Sequence, residues 1–177
     1  MTTHRSLLNI MAPMTEQDRA NRRAIDQRCA ALIAQGICPS CHQFATGDVF
    51  SGQREQTYYE DALLSCHLET YPRGGGHTIL VTRTHYADIA EMPIDLRCHI
   101  MRVTHAVVNA LKRVVGATKV YMHTMCSGEL SHLHFQFILR RPGELIGGRV
   151  FAAERGVLTH YQGTLQALRE EVRVLMR

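Results

Sequence analysis

Apolar residues recur at Leu96, Ile100, Val103, Val107, Leu111 and Val114, three or four positions apart, which predicts a helix between Pro93 and Gly116 with one face turned to a core. From Thr15 to Gln35 there is neither Gly nor Pro. Thr15 with Asp18 three residues on forms a start signal, and Gly36 supplies the stop, so a second helix is expected there, with a modest apolar face of Ala24, Ile25, Ala31, Leu32 and Ile33. Cys38-Pro-Ser-Cys-His42 reads as a loop that leads through Gly47-Asp48 and Gly52 to strand-like Thr57-Tyr-Tyr and Ala62–Leu68, joined as a hairpin through Glu60-Asp61. After the glycines of Pro72–Gly76, Thr78-Ile-Leu-Val-Thr82 is short and β-branched, the pattern of a buried strand. Lys119–Thr124 reads as a strand, and so does His132–Leu139, where Leu133, Phe135, Phe137 and Leu139 alternate with His132, His134, Gln136 and Ile138. That alternation puts two histidines and a glutamine on one face and an anchoring apolar row on the other. Leu165, Leu168, Val172 and Leu175 mark a final helix.

Composition narrows the class. With 177 residues, 45% hydrophobic and 20% charged, the chain can bury one core and is not disordered. The net charge of +4 comes from scattered basic residues, without the like-charge block of a nucleic-acid arm, so nucleic acid is not an expected partner. There is no apolar run of membrane-spanning length, and Leu7–Met14 is too short and polar for a signal peptide, so the chain reads as cytoplasmic with no membrane partner. In that setting its six cysteines are reduced, and the one clustered pair, Cys38 and Cys41, points to a metal rather than a disulfide. Zinc takes four Cys or His ligands in a closed structural site, so two more are required, and adjacent His42 is one candidate. Cys38-Pro-Ser-Cys-His42 also satisfies the c-type haem attachment pattern, which requires export. Cys29, Cys66, Cys98 and Cys126 read as small apolar residues.

Ser131-His-Leu-His-Phe-Gln-Phe-Ile-Leu-Arg140 resembles the signature of the histidine-triad (HIT) superfamily, in the His-x-His-x-Gln form of galactose-1-phosphate uridylyltransferase and diadenosine tetraphosphate phosphorylase. The resemblance runs co-linearly from Cys38 to Pro142 through Tyr59-Glu-Asp61, Gly76-His-Thr-Ile-Leu-Val81 and Thr84-His-Tyr-Ala-Asp88. It implies an α+β fold: an antiparallel sheet of about five strands with the long helix packed across it. Residues 1–35 would be an N-terminal helical extension, 36–142 the catalytic domain and 143–177 a C-terminal extension with a helix. It implies a homodimer that acts on a nucleotide small molecule as a nucleotidyltransferase or phosphorylase; a nucleotide hydrolase and a binding protein whose catalysis has lapsed are the alternatives. His134 would be the nucleophile that forms a nucleotidyl-histidine, and Gln136 would hold the phosphoryl group. Since Gln136 donates a hydrogen bond but not a proton, a leaving group that needs little protonation, or an acceptor other than water, suits the site. By the same resemblance, His85 and His132 complete a structural zinc site with Cys38 and Cys41, and Glu69 takes the ribose hydroxyls. Ser127 and Ser131 lie in the phosphate-cradling loop, which departs from the family pattern at Glu129.

Overall fold

A computed structural model describes residues 10–50, 52–126, 128, 130–144 and 146–177. The helix at Thr15 starts as its capping signal predicts. The Thr15 hydroxyl accepts from the Asp18 N–H at 3.2 Å while the Asp18 carboxylate accepts from the Thr15 N–H at 2.8 Å, and α1 follows over Glu16–Ala34. The segment expected as a loop is instead a helix, α2 (Pro39–Thr46). Its first residue is Pro39, whose fixed φ suits that position, and it ends on Gly47 in the left-handed region at φ 79°.

β2 (Thr57–Glu60), β3 (Leu64–Leu68), β4 (Thr78–Thr82), β5 (Lys119–His123) and β6 (His134–Arg140) form one antiparallel sheet in the order β2-β3-β4-β6-β5. Asp61 shapes the β2–β3 turn: its carboxylate accepts from the Leu63 and Leu64 N–H groups at 2.7 and 2.8 Å and from the Tyr59 hydroxyl at 2.6 Å. The apolar stripe of α3 (Ile94–Val115) lies buried against one sheet face, with Pro93 just outside the helix as its cap. α4 (Gln162–Leu175) buries Leu165, Leu168 and Val172 and packs on α3 and β2.

Two three-residue strands escape the sequence pattern. β1 (Met11–Pro13) pairs with β7 (Gly156–Leu158), tying together the segments that flank the sheet. Among the described residues, no helix is long and apolar enough to cross a membrane.

The register divides the sheet cleanly. Cys66, Leu80 and Phe135 align across β3, β4 and β6 on the α3 face, while His67, Ile79, Gln136 and His123 align across β3, β4, β6 and β5 on the other. Phe137 is fully buried between sheet and α3. Phe137→Ala is expected to cost about 3–5 kcal/mol, measured as a fall in the urea midpoint at unchanged slope.

Candidate functional site

The face opposite α3 carries a cavity of about 390 Å³. His134, Gln136, Ile79 and His67 line its floor. Phe44 from α2 and Phe50 from the following loop add apolar walls, Glu69 stands at the end of β3, and Arg22, Ile25 and Asp26 come from α1. The inner stripe of α1, Asp18, Arg22, Ile25, Cys29 and Leu32, has core-facing spacing, yet no residue of the helix is buried. Of the apolar face expected from sequence, Ala24, Ala31 and Ile33 are exposed and Ile25 and Leu32 half-buried, because Arg22 and Ile25 line the cavity rather than a packed core. Arg155, from the C-terminal segment, closes another side and is held by donating to the Tyr71 carbonyl at 2.6 Å.

At the floor, His134 Nδ1 lies 2.9 Å from the His132 carbonyl oxygen. A carbonyl only accepts, so Nδ1 carries a proton and, in the neutral ring, the lone pair is on Nε2. Nε2 is 3.5 Å from the Gln136 amide nitrogen. The amide itself is oriented from behind by His77, a fully buried residue of the Gly76–Val81 stretch to which the sequence assigns no role. Burial, and next the Arg155 charge, push the His77 pKa down to about 3, so the ring is neutral. The Arg73 N–H donates to His77 Nδ1 at 3.2 Å, which leaves the proton on Nε2 to donate to Gln136 Oε1 at 3.2 Å. The Gln136 amide therefore turns its N–H groups toward His134. The preceding Gly76 is required by the same corner: at φ 93° a Cβ would stand 2.9 Å from Leu139 Cδ2.

Burial alone would lower the His134 pKa, but the Cys126 thiol and the His132 carbonyl outweigh it and raise it. Cys126 Sγ lies 3.6 Å from His134 Nδ1; burial pushes the thiol up, yet His134 and Thr124 bring it down to about 7. Cys126, read from sequence as an ordinary apolar residue, thus touches the central histidine. His67, on the cavity floor, is held neutral by burial and by the nearby His134, at about 3.

Beside this cavity the fold brings Cys38, Cys41, His85 and His132 together, with one ligand atom from each lying within 4.8 Å of the others. Cys38 Sγ to His132 Nδ1, Cys41 Sγ to His132 Nδ1 and Cys41 Sγ to His85 Nδ1 are each 3.5 Å. In a tetrahedral zinc site, sulfur and nitrogen ligands stand about 3.5 Å apart, so the spacing fits the ion. His132 Nε2 donates to the Thr82 carbonyl at 2.6 Å, which leaves Nδ1 free to ligate. Burial, and next Cys38, push the Cys41 thiol up to about 11, an effect that a cation in the cluster would reverse. His42 turns elsewhere, toward Asp48 at 3.3 Å.

Of the remaining expected site residues, Glu69 lines the cavity, where its carboxylate accepts from the Tyr71 N–H at 3.0 Å. The Ser131 hydroxyl donates to the Gly128 carbonyl at 3.0 Å within its own loop. Ser127, with Glu129, lies outside the described residues.

A family model for the HIT domain matches residues 52–143, just over half of the chain. The chain is 34% identical over 89 residues to an uncharacterised HIT-like protein of Methanocaldococcus jannaschii, covering 49% of this chain and 69% of that one. It is 28% identical over 88 residues to an uncharacterised HIT-like protein of Borreliella burgdorferi, covering 46% and 63%. Among solved structures, a zinc-bound histidine-triad family protein from Mycobacterium smegmatis is similar in fold, with TM-score 0.60 at 19% identity, covering 78% of this chain and 94% of that one. So is a hypothetical histidine-triad nucleotide-binding protein from Sulfolobus tokodaii, with TM-score 0.61 at 22% identity, covering 79% and 95%.

Proposed function

Because the chain belongs to the HIT-domain family, we propose that it is a nucleotidyltransferase or phosphorylase that works through a covalent nucleotidyl-His134 and carries a structural zinc ion. The observation that carries this reading is the state of His134: its Nδ1 proton is committed to the His132 carbonyl, and its Nε2 lone pair sits at the floor of a cavity large enough for a small molecule.

In the first half-reaction, Nε2 of His134 attacks the α-phosphorus of the donor and a P–N bond forms as the P–O bond to the leaving group breaks. In the second, an oxygen of the acceptor attacks the same phosphorus and the P–N bond breaks. Gln136 donates a hydrogen bond to a phosphoryl oxygen, aimed there by His77. Glu69 takes the ribose hydroxyls, and Phe44, Phe50 and Ile25 supply apolar surface for the base. Ser127 and Ser131 belong to the loop that cradles the phosphate. Zinc, held by Cys38, Cys41, His85 and His132, would clamp α2 to the segment that enters β6 and so fix the base wall relative to the nucleophile.

Turnover of a panel of nucleotide sugars, nucleoside triphosphates and dinucleoside polyphosphates, with and without inorganic phosphate or a sugar phosphate, tests the reading. Acceptor-dependent release of a nucleotide product supports it. Equal turnover in water alone makes the protein a hydrolase, and tight binding without turnover makes it a binding protein.

His77 gives a finer prediction. His77→Phe removes the donor that orients Gln136 and is expected to lower kcat about tenfold, the worth of about 1.4 kcal/mol, while shifting nucleotide Kd less than about twofold. Steady-state kinetics with a separate binding titration checks the split.

A further inference from the structure

Gln136 occupies the place next to the nucleophile but has no proton to give at neutral pH. The sheet register sets a histidine beside it. His123 on β5 is the direct partner of Gln136 on β6, so the two side chains share one face of the sheet, with His123 beside the cavity rather than among the residues that line it. The His123 ring rests on Phe151 from the C-terminal segment, with centroids 4.4 Å apart. Among the described residues, both of its ring nitrogens are buried without a hydrogen-bond partner. His77, His67, His132 and His134 all have at least one nitrogen engaged by the protein. A buried imidazole with neither nitrogen committed is suited to a group that arrives with the substrate.

We propose that His123 is the general acid of the nucleotidyl transfer described above, the role that Gln136 cannot fill. The inference rests on that reading. As His134 Nε2 bonds to the α-phosphorus and the P–O bond to the leaving group breaks, imidazolium His123 gives its N–H proton to the departing oxygen and becomes neutral. In the second half-reaction it takes a proton from the acceptor hydroxyl as that oxygen attacks and the P–N bond breaks, which restores the starting state. Without substrate, burial, His134 and Arg73 all disfavour the charged ring; a negatively charged phosphoryl group beside Gln136 acts in the opposite sense and favours it. A leaving group of ordinary basicity then becomes compatible with a glutamine in the third position of the triad.

The test is the dependence of the first half-reaction on the leaving group. Aryl esters of one nucleoside monophosphate, with phenols of increasing basicity, are mixed with the purified wild-type protein and with His123→Gln and His123→Asn, and release of phenol is followed in a single turnover. A nitrophenolate leaves without a proton, whereas unsubstituted phenol needs one. The variants are expected to lose about two- to threefold with the nitrophenyl ester and about 100-fold or more with the phenyl ester. Equal losses across the series would make His123 a structural residue, and unchanged rates would remove it from the site; either result overturns the inference alone. Failure of the wild-type protein to release phenol from any ester would overturn the nucleotidyl-transfer reading and this inference with it. Thermal melts of both variants accompany the kinetics, and the ratio between esters within one variant is independent of how much of it is folded.

Discussion

His134→Ala is expected to abolish turnover, with a loss on the order of 10⁴-fold or more, while nucleotide binding changes by about tenfold or less. The asymmetry follows from what the side chain does. In the proposed mechanism Nε2 is the one atom that bonds to phosphorus, and removing a nucleophile from a group that acts as a unit costs most of the chemical acceleration. The same reading spreads binding over Glu69, Phe44, Phe50 and the α1 wall, which line the cavity from elements other than the strand of His134. The substitution also frees the Cys126 thiol from its contact with Nδ1, so the variant should be assayed under reducing conditions. Turnover and a binding titration on the same preparation check the prediction. A loss of less than tenfold would mean that the phosphorus is attacked by another group.

The second large effect concerns the Cys38–Cys41–His85–His132 cluster. Its members come from the start of α2, the turn after β4 and the entrance to β6, so an ion there joins three separate parts of the chain. Zinc present at a thousandfold its Kd stabilises the folded state by about 4 kcal/mol, which for a chain of this length corresponds to roughly 8–16 °C in Tm. Chelation, or Cys41→Ser, is expected to lower Tm by that amount and to release one equivalent of zinc by elemental analysis. The loss of activity should follow the loss of structure, because in its proposed role the ion would order the wall of the cavity and take no step in the transfer. A protein purified without metal and indifferent to chelators would contradict the assignment.

How much of this was legible depends on how local each signal is. α3 announces itself because its buried stripe repeats every three or four residues, and β6 because Phe135, Phe137 and Leu139 alternate with His134 and Gln136. α1 was legible as a helix from the Thr15–Asp18 capping pair, but its place over the cavity was not. Its inward stripe contains Asp18 and Arg22, and a polar stripe gives no sign of what it will face. α2 is not legible because Cys38-Pro-Ser-Cys-His42 has the composition of a loop; its helix is decided by Pro39 at the first position and Gly47 at the end. The resemblance points to Cys38, Cys41, His85 and His132 as zinc ligands, and the chain folds so that the four meet. His77 stands in the Gly76–Val81 stretch that carries the resemblance, but it gains its role, as His123 and Arg155 gain theirs, only when the sheet register and the C-terminal segment close around Gln136.

The most direct test of the central claim is intact-protein mass spectrometry of the wild-type protein, quenched at neutral to alkaline pH during turnover of its best donor, followed by peptide mapping. The account predicts one added nucleotidyl group, labile to acid and located on His134. Turnover with no adduct under single-turnover conditions, or an adduct mapped to another residue, would contradict it.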